Sequence, residues 1–464
     1  MSRIGLTCAA CHTGRFTYQG TEFLVDGGPA ITDLGKFRTA LGLSMAFTRF
    51  VPYRFDRFAE RVIGANPSEV EKTQLLAQLD KVLAQGKGLS DLDAIVAPQS
   101  VVEGYGRLDA LNRIGNEVFA IDLKTPENYA ATSAPVHFPR IWDASWFDWV
   151  QYNSSIEQPM VRNAGEAMGV SAMLNLTSPA GGLYNSGIEI MNLDRIEKSL
   201  AGKQPNASTG FTGLKSPQWP SELPPIDTKL AAQGEALYGE HCQACHLPPM
   251  NSAAFWTSDR WSLPSNRKEE HYPGERYLHV TEVPISKIGT DPAQAQDMLD
   301  RKVTVPRELG IASDNFGPAL GEVTEKTIKH WYDSQTPPVT PEKREELNGY
   351  RENGIQAPLA YKARPLNGIW ATPPYLHNGS VPNLYALLSP VSERPMKFYL
   401  GNREYDPDNA GYRTDKLEGG FELDTRIRGN TNTGHEFNNG KDGVIGRLLT
   451  PEERRALVEF LKTM

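Results

Sequence analysis

Apolar residues recur along this chain in a helical rather than a strand rhythm, in stretches separated by long polar and turn-rich connections. Val70, Leu75, Leu76, Leu79, Val82 and Leu83 advance mostly by threes and fours, and Ser68-x-x-Glu71 ahead of them forms a capping box. This predicts an amphipathic helix packed on the N-terminal domain. Asp227 before Leu230, Ala231, Gly234, Leu237 and Tyr238 predicts a second helix. Thr450-Pro451-Glu452-Glu453 supplies an N-cap, a proline at the first helical position and an acidic third residue before Leu457, Val458, Phe460 and Leu461, predicting a terminal helix. Alternation of period two is scarce and marks only short hairpins near Thr17 to Val25 and Pro395 to Leu400. From Lys203 to Thr228 the chain is dense in Pro, Ser and Gly and lacks an apolar period, so it reads as a connection. The expected organisation is a domain over 1–202, a linker over 203–228 and a domain over 229–464. The expected fold class is mainly α, with long loops and few short strands.

Composition narrows the class. At ~150 residues per domain, 464 residues accommodate two to four domains. Gly and Pro number 41 and 34, which favours turn-rich connections over a tidy bundle. No apolar run approaches the ~18 residues of a membrane span. The net charge of −8, without a long basic block, argues against nucleic acid as a partner.

All four cysteines fall in two copies of one pattern, Cys8-Ala9-Ala10-Cys11-His12 and Cys242-Gln243-Ala244-Cys245-His246. A chance C-x-x-C-H is expected on the order of once in a thousand chains of this length. Two thiols three positions apart can form thioethers with the two vinyl groups of one haem, and the adjacent histidine can bind its iron. A zinc site built from all four thiols leaves both histidines unexplained. Structural disulfides fit poorly, because C-x-x-C pairs are more often redox or ligand motifs than scaffold staples. The reading is therefore two covalent haem c groups, one per domain, with His12 and His246 as proximal ligands. Haem c attachment requires an oxidising compartment, so the protein is expected in the periplasm or secreted. The first haem cysteine follows Met1 almost at once, so the true start and an export signal are expected upstream.

The sixth iron position decides between electron transfer and catalysis. The other histidines are His137, His241, His271, His279, His330, His377 and His435. His435 lies in Gly429-Asn430-Thr431-Asn432-Thr433-Gly434-His435, a loop of small residues that lets backbone approach a flat cofactor, and it ranks first as distal ligand of the second haem. His377 and Met396 are the other candidates. Near the first haem, residues 142–169 carry Trp142, Trp146 and Trp149, then Gln151, Asn153, Glu157, Gln158, Arg162, Asn163 and Glu166. These form either an aromatic core cluster beside a polar loop or a distal pocket that handles bound O2 or peroxide. Met168 and His137 are the reasonable pool for a sixth ligand there.

The two motifs, together with Arg364-Pro365-Leu366-Asn367-Gly368-Ile369-Trp370-Ala371-Thr372-Pro373-Pro374-Tyr375-Leu376-His377-Asn378-Gly379-Ser380, resemble the bacterial di-haem cytochrome c peroxidase superfamily, which includes MauG and the rubber oxygenases. The Tyr361 to Arg364 run, the Asn432 to Phe437 stretch and the large region between Thr13 and Val170 resemble the rubber-oxygenase branch more closely. The resemblance implies two cytochrome-c-like domains, a catalytic first haem on Cys8, Cys11 and His12, and an electron-transfer second haem on Cys242, Cys245, His246 and His435. It implies that Trp146 or Trp149 lies between the haems and that Glu166 is a distal acid assisting peroxide cleavage. The W-D-G-R sequence of the peroxidases is absent, Phe147-Asp148-Trp149-Val150-Gln151 standing there, and a late Met ligand is replaced by His435. Imidazole in place of thioether lowers the second haem's potential, which makes an oxygenase or MauG-like oxidant comparable with a peroxidase.

The expected function is an exported di-haem oxidoreductase that activates peroxide or O2 at the first haem while the second transfers electrons. Its partners would be that small oxidant and a reductant or organic substrate, including a small redox protein as donor. Calcium is left open as a further cofactor. The alternative is a non-catalytic electron carrier or redox sensor with both irons six-coordinate.

Overall fold

The computed structural model describes residues 5–263, 276–439 and 443–464; Met1 to Ile4 and His271 lie outside them. The chain is mainly helical, 43% helix against 13% strand, with short strands. Eight helices of ten residues or more occur among the described residues. They are α1 (Leu34–Phe50), α2 (Arg54–Ile63), α3 (Glu69–Val96), α4 (Pro159–Gly169), α5 (Ile190–Ala201), α6 (Thr228–His241), α7 (Phe316–Ser334) and α8 (Pro451–Lys462).

The strands pair two by two. β1 (Thr13–Tyr18) and β2 (Thr21–Asp26) form the hairpin expected near Thr17, with Thr13 opposite Asp26. β3 (Thr281–Pro284) pairs with β4 (Ala360–Ala363), bringing together segments far apart in sequence. β5 (Lys397–Leu400) pairs with β6 (Phe421–Asp424), so the hairpin expected near Leu400 is half of a longer-range ribbon. Alternation marks a strand but not its partner.

The predicted caps form as read. The Asp227 carboxylate accepts from the Lys229 and Leu230 amides at 2.9 and 3.0 Å, and Thr450 with Glu453 closes a capping box at α8. α6 and α8 cross in contact at Gly234, where an added Cβ would collide with the Ala456 carbonyl and lie 2.7 Å from the Phe460 Cβ. Tyr238 packs on Phe460 at 5.3 Å, inside a core that also holds Leu384, Phe437, Leu457 and Leu461.

A second core joins Met160, Val161, Ala164 and Met168 of α4 to Phe316, Ala319, Leu320 and Val323 of α7, so helices on both sides of residues 203–228 share it. Those residues hold no helix or strand before Thr228, yet Phe211 and Leu223 are buried and Trp219 packs on Trp370 at 5.2 Å. The segment is folded down onto the body.

α1, α2 and α3 form an arm. α1 has no buried residue, α2 buries Ala59 and α3 buries Leu79. The Ser68–Glu71 capping box forms, but α3 packs chiefly on α1 and α2 rather than on the rest of the N-terminal region. Its apolar positions drift around the helix, leaving Val70 and Val82 exposed, so no continuous stripe faces the body. The Tyr129 hydroxyl donating to Asp93 at 2.7 Å helps tie its C-terminal end down.

Candidate functional site

The second C-x-x-C-H motif follows α6 directly, on a short helix Gln243–His246. His246 Nδ1 sits 2.8 Å from the Arg364 carbonyl, which can only accept, so Nδ1 carries the proton and Nε2 keeps its lone pair. Facing it is His435, the ring centroids 6.1 Å apart at 62°. Two imidazoles bound at about 2 Å to one metal from opposite faces hold their centres roughly 6 Å apart, so this pair fits a shared iron. Burial first, with the neighbouring charges, lowers His435 to about 3, and burial lowers His246 to about 4, keeping both neutral as metal ligation requires.

The His435 loop is held by close backbone contact. Gly434 and His435 are left-handed, at φ 70° and 46°, and a Cβ on Gly434 would collide with Ile288 and Gly289 backbone. The buried Arg394 guanidinium donates to the carbonyls of Asn432, Gly434 and His435, at 2.5, 2.9 and 2.9 Å. The other candidate ligands stand elsewhere. Met396 is 67% exposed, and the His377 ring stacks on Tyr361 at 3.9 Å while its carbonyl accepts from the His137 amide.

The first motif has a different frame: one 3-10 turn, Cys8–Ala10, leading into β1. His12 Nδ1 lies 2.8 Å from the Pro139 carbonyl, which again leaves Nε2 with the lone pair. Burial lowers the His12 pKa. Burial, then the charge of Glu166, pushes the Cys11 thiol up to about 11 and raises Cys8 as well, so Glu166 stands within electrostatic reach of both.

Glu166, itself partly exposed to solvent, lines a small, partly open pocket of about 20 Å³ whose walls combine Leu111, Ile114, Ile156, Val161 and Leu320 with the polar Gln151 and Arg162. α4 presents it: Met160, Val161, Ala164 and Met168 face the core, while Arg162, Asn163 and Glu166 take the other side. Burial raises the Glu166 carboxyl, opposed by Arg162 and by the Gln151 amide at 3.5 Å. Arg162 is engaged with Glu197, whose carboxylate it holds low against burial, so it does not neutralise Glu166 fully. Met168 is in the apolar core and His137 is buried with its amide donating to His377.

The three tryptophans separate. Trp142 is buried against Phe16 and Trp370 in one cluster; Trp146 joins Phe147, Leu247 and Leu278 in another and donates to the Ala201 carbonyl at 2.8 Å. Trp149 is half-buried, its carbonyl 3.5 Å from Lys362 Nζ. The single aromatic cluster is therefore not formed.

All four thiols are unpaired, and among the described residues no three His, Cys, Asp or Glu side chains converge to hold a metal ion. Neither a four-thiol zinc site nor a disulfide is built. Several cations held inside the fold were not legible in the sequence: the buried Arg140 and Arg394 and the half-buried Lys362 and Arg364. Burial pulls the Lys362 ammonium well below its ordinary range. Lys362 and Arg364 lie in the Tyr361 to Arg364 run, which β3 pins by setting Glu282 opposite Lys362.

Against known proteins, residues 360–399 match a family described as RoxA-like, cytochrome c-like. The uncharacterized protein y4iJ of Sinorhizobium fredii is 60% identical over 466 residues, covering 100% of this chain and 77% of that protein. The chain belongs to the y4iJ family. A second protein of the same bacterium, the uncharacterized y4iM, is 26% identical over 339 residues, 70% of this chain and 63% of its own length. The cytochrome c-like match covers the y4iJ-family segment that carries Arg364 and His377, and it implies covalently bound haem c. Among the described residues no helix is long and apolar enough to cross a membrane.

Proposed function

We propose that this chain is a di-haem c-type oxidoreductase, periplasmic or secreted, in which the centre at Cys8, Cys11 and His12 activates peroxide or O2. The centre at Cys242, Cys245, His246 and His435 would pass electrons. The observation that carries this reading is the inequality of the two sites: His246 faces a second imidazole, whereas at the first motif the Glu166 carboxylate, which lines a small open pocket, acts electrostatically on both thiols. Bound haem would supply the iron at which a small oxidant is reduced.

The rest falls to side chains. Reduction of peroxide to two waters consumes two protons and two electrons, the electrons coming from a reduced donor. Glu166, with its carboxyl raised by burial, takes a proton from one peroxide oxygen and returns it to the departing one. Gln151 orients that carboxylate, and Arg162 limits how far its pKa rises. The RoxA-like match favours the oxygenase form, with O2 and an alkene as substrates.

One EPR spectrum of the oxidised protein tests the proposal: a high-spin haem beside a low-spin bis-histidine haem is expected. Two low-spin haems that bind neither cyanide nor CO in any redox state would move the protein to the electron-carrier class. Peroxide-dependent oxidation of a reduced cytochrome identifies the peroxidase form; O2 uptake with cleavage of a polyisoprenoid identifies the oxygenase.

A further inference from the structure

The two proximal histidines are tied to each other by a reciprocal pair of arginines. His12 Nδ1 rests on the Pro139 carbonyl and His246 Nδ1 on the Arg364 carbonyl, both at 2.8 Å. The residue after Pro139 is Arg140, whose guanidinium crosses to the Pro365 carbonyl, next to the one that holds His246. The Arg364 guanidinium crosses back, donating to the Arg140 carbonyl at 2.6 Å, next to the one that holds His12, and to the Trp142 carbonyl at 2.9 Å. Each segment thus gives a carbonyl to one histidine and a cation to the other.

Both Nε atoms are buried without a partner, and Asp143, the carboxylate acting on both cations, is itself engaged by Asn367. Arginine stays charged in proteins, so the pair leaves positive charge between the motifs. A fixed cation beside an iron ligand favours the reduced metal, and the hydrogen bond to a ligand's outer nitrogen tunes the metal it binds.

We propose that Arg140 and Arg364 are positioning residues that raise the reduction potentials of both haems and couple them, so that a change at one proximal histidine is felt at the other. This rests on the di-haem reading above.

The test uses the holoprotein. Haem content by pyridine haemochrome comes first, because fewer than two haems in the native protein would sink the di-haem reading rather than the arginine bridge. Spectroelectrochemical titration then compares native protein with R364Q and R140Q. A tenfold fall in the one-electron reduction equilibrium, about 59 mV, is expected at each haem, larger at the first for R364Q and at the second for R140Q. The double variant should give less than the sum, because the two share one network. R364K keeps the charge without the fork and should recover part of the shift, which serves if a glutamine variant loses haem. Two loaded haems with native potentials in the glutamine variants, or additive shifts in the double, would overturn the bridge.

A separate observation concerns the arm. In the arm Arg38 and Arg49 are ion-paired with Asp93 and Asp80 of α3, while Arg54, Arg57 and Arg61 cluster on α2 against Asp56 and Glu60, in a chain of net charge −8. Leu43, Phe47, Phe50, Val51 and Tyr53 are exposed at the α1–α2 end, Phe50 at 71% and Tyr53 at 83%. Arg49 and Arg54 lie over the Phe50 and Phe47 rings. Cations rimming exposed aromatics is the chemistry of a helix that lies on an anionic bilayer. We infer that this end docks on anionic lipid. Sedimentation with phosphatidylglycerol vesicles should carry the protein down at low salt, phosphatidylcholine should not, and F50S/Y53S or R54Q/R57Q/R61Q should abolish pelleting. Equal binding to both lipids, no binding, or a dimer that F50S/Y53S dissociates would overturn it.

Discussion

The same five-residue pattern, C-x-x-C-H, sits in two unlike frames. At Cys242 it follows a capped 14-residue helix crossed by a second capped helix, and the space opposite its histidine is closed by His435 on a backbone loop clamped by Arg394. At Cys8 it occupies a single turn before a hairpin, and the Glu166 carboxyl of α4, whose charge acts on both thiols, lines a small open pocket. The motif's histidine is treated alike in both, its Nδ1 fixed on a backbone carbonyl. What the motif binds is thus written locally, while what the bound group can do is set by whatever long-range contact arrives opposite.

The most severe way to break this contrast is His435→Gly. The second centre should change from a low-spin species to one that binds CO, with little change at the first, as followed by EPR and difference spectra. His435→Met should instead keep it low-spin and raise its potential. Glu166→Gln comes next. Losing a general acid and base costs about 10² to 10⁴ in rate, so peroxide turnover should fall by that factor with both haems loaded and the second centre's spectrum unchanged. The pH profile sharpens the assignment. Burial, opposed by Arg162, raises the Glu166 carboxyl above 4.5, so the base form appears only as pH climbs through that raised value. Activity should therefore fall on the acid side at a higher pH than an ordinary glutamate sets, and the glutamine variant should lack that limb.

Smaller effects probe the scaffold. Gly234→Ala drives a Cβ into the Ala456 carbonyl at the α6–α8 crossing; overpacking of this kind costs about 1–3 kcal/mol, seen as a lower Tm with the second haem's spectrum perturbed first. Thr450→Ala removes one half of the α8 capping box and should cost about 1 kcal/mol, measured by denaturant unfolding, leaving both haem spectra native.

The helix starts at Asp227 and Thr450 and the two C-x-x-C-H patterns were legible because each depends on residues within a few positions of one another: a side-chain oxygen reaching an amide two or three residues on, or two thiols spaced along one turn. His435 was ranked from its glycine-bearing loop, itself a local signal. Arg140 and Arg364 carried no such mark. Their chemistry exists only because the segments around Arg140 and Arg364, far apart in sequence, meet in space and set the Pro139 and Arg364 carbonyls, each holding a histidine, side by side. The same limit applies to α3, whose cap was legible in the sequence while its packing against α1 and α2 was not. Periodicity reports that a surface is apolar, but which surface covers it is a matter of tertiary contact, because burial is nondirectional and any complementary face will serve.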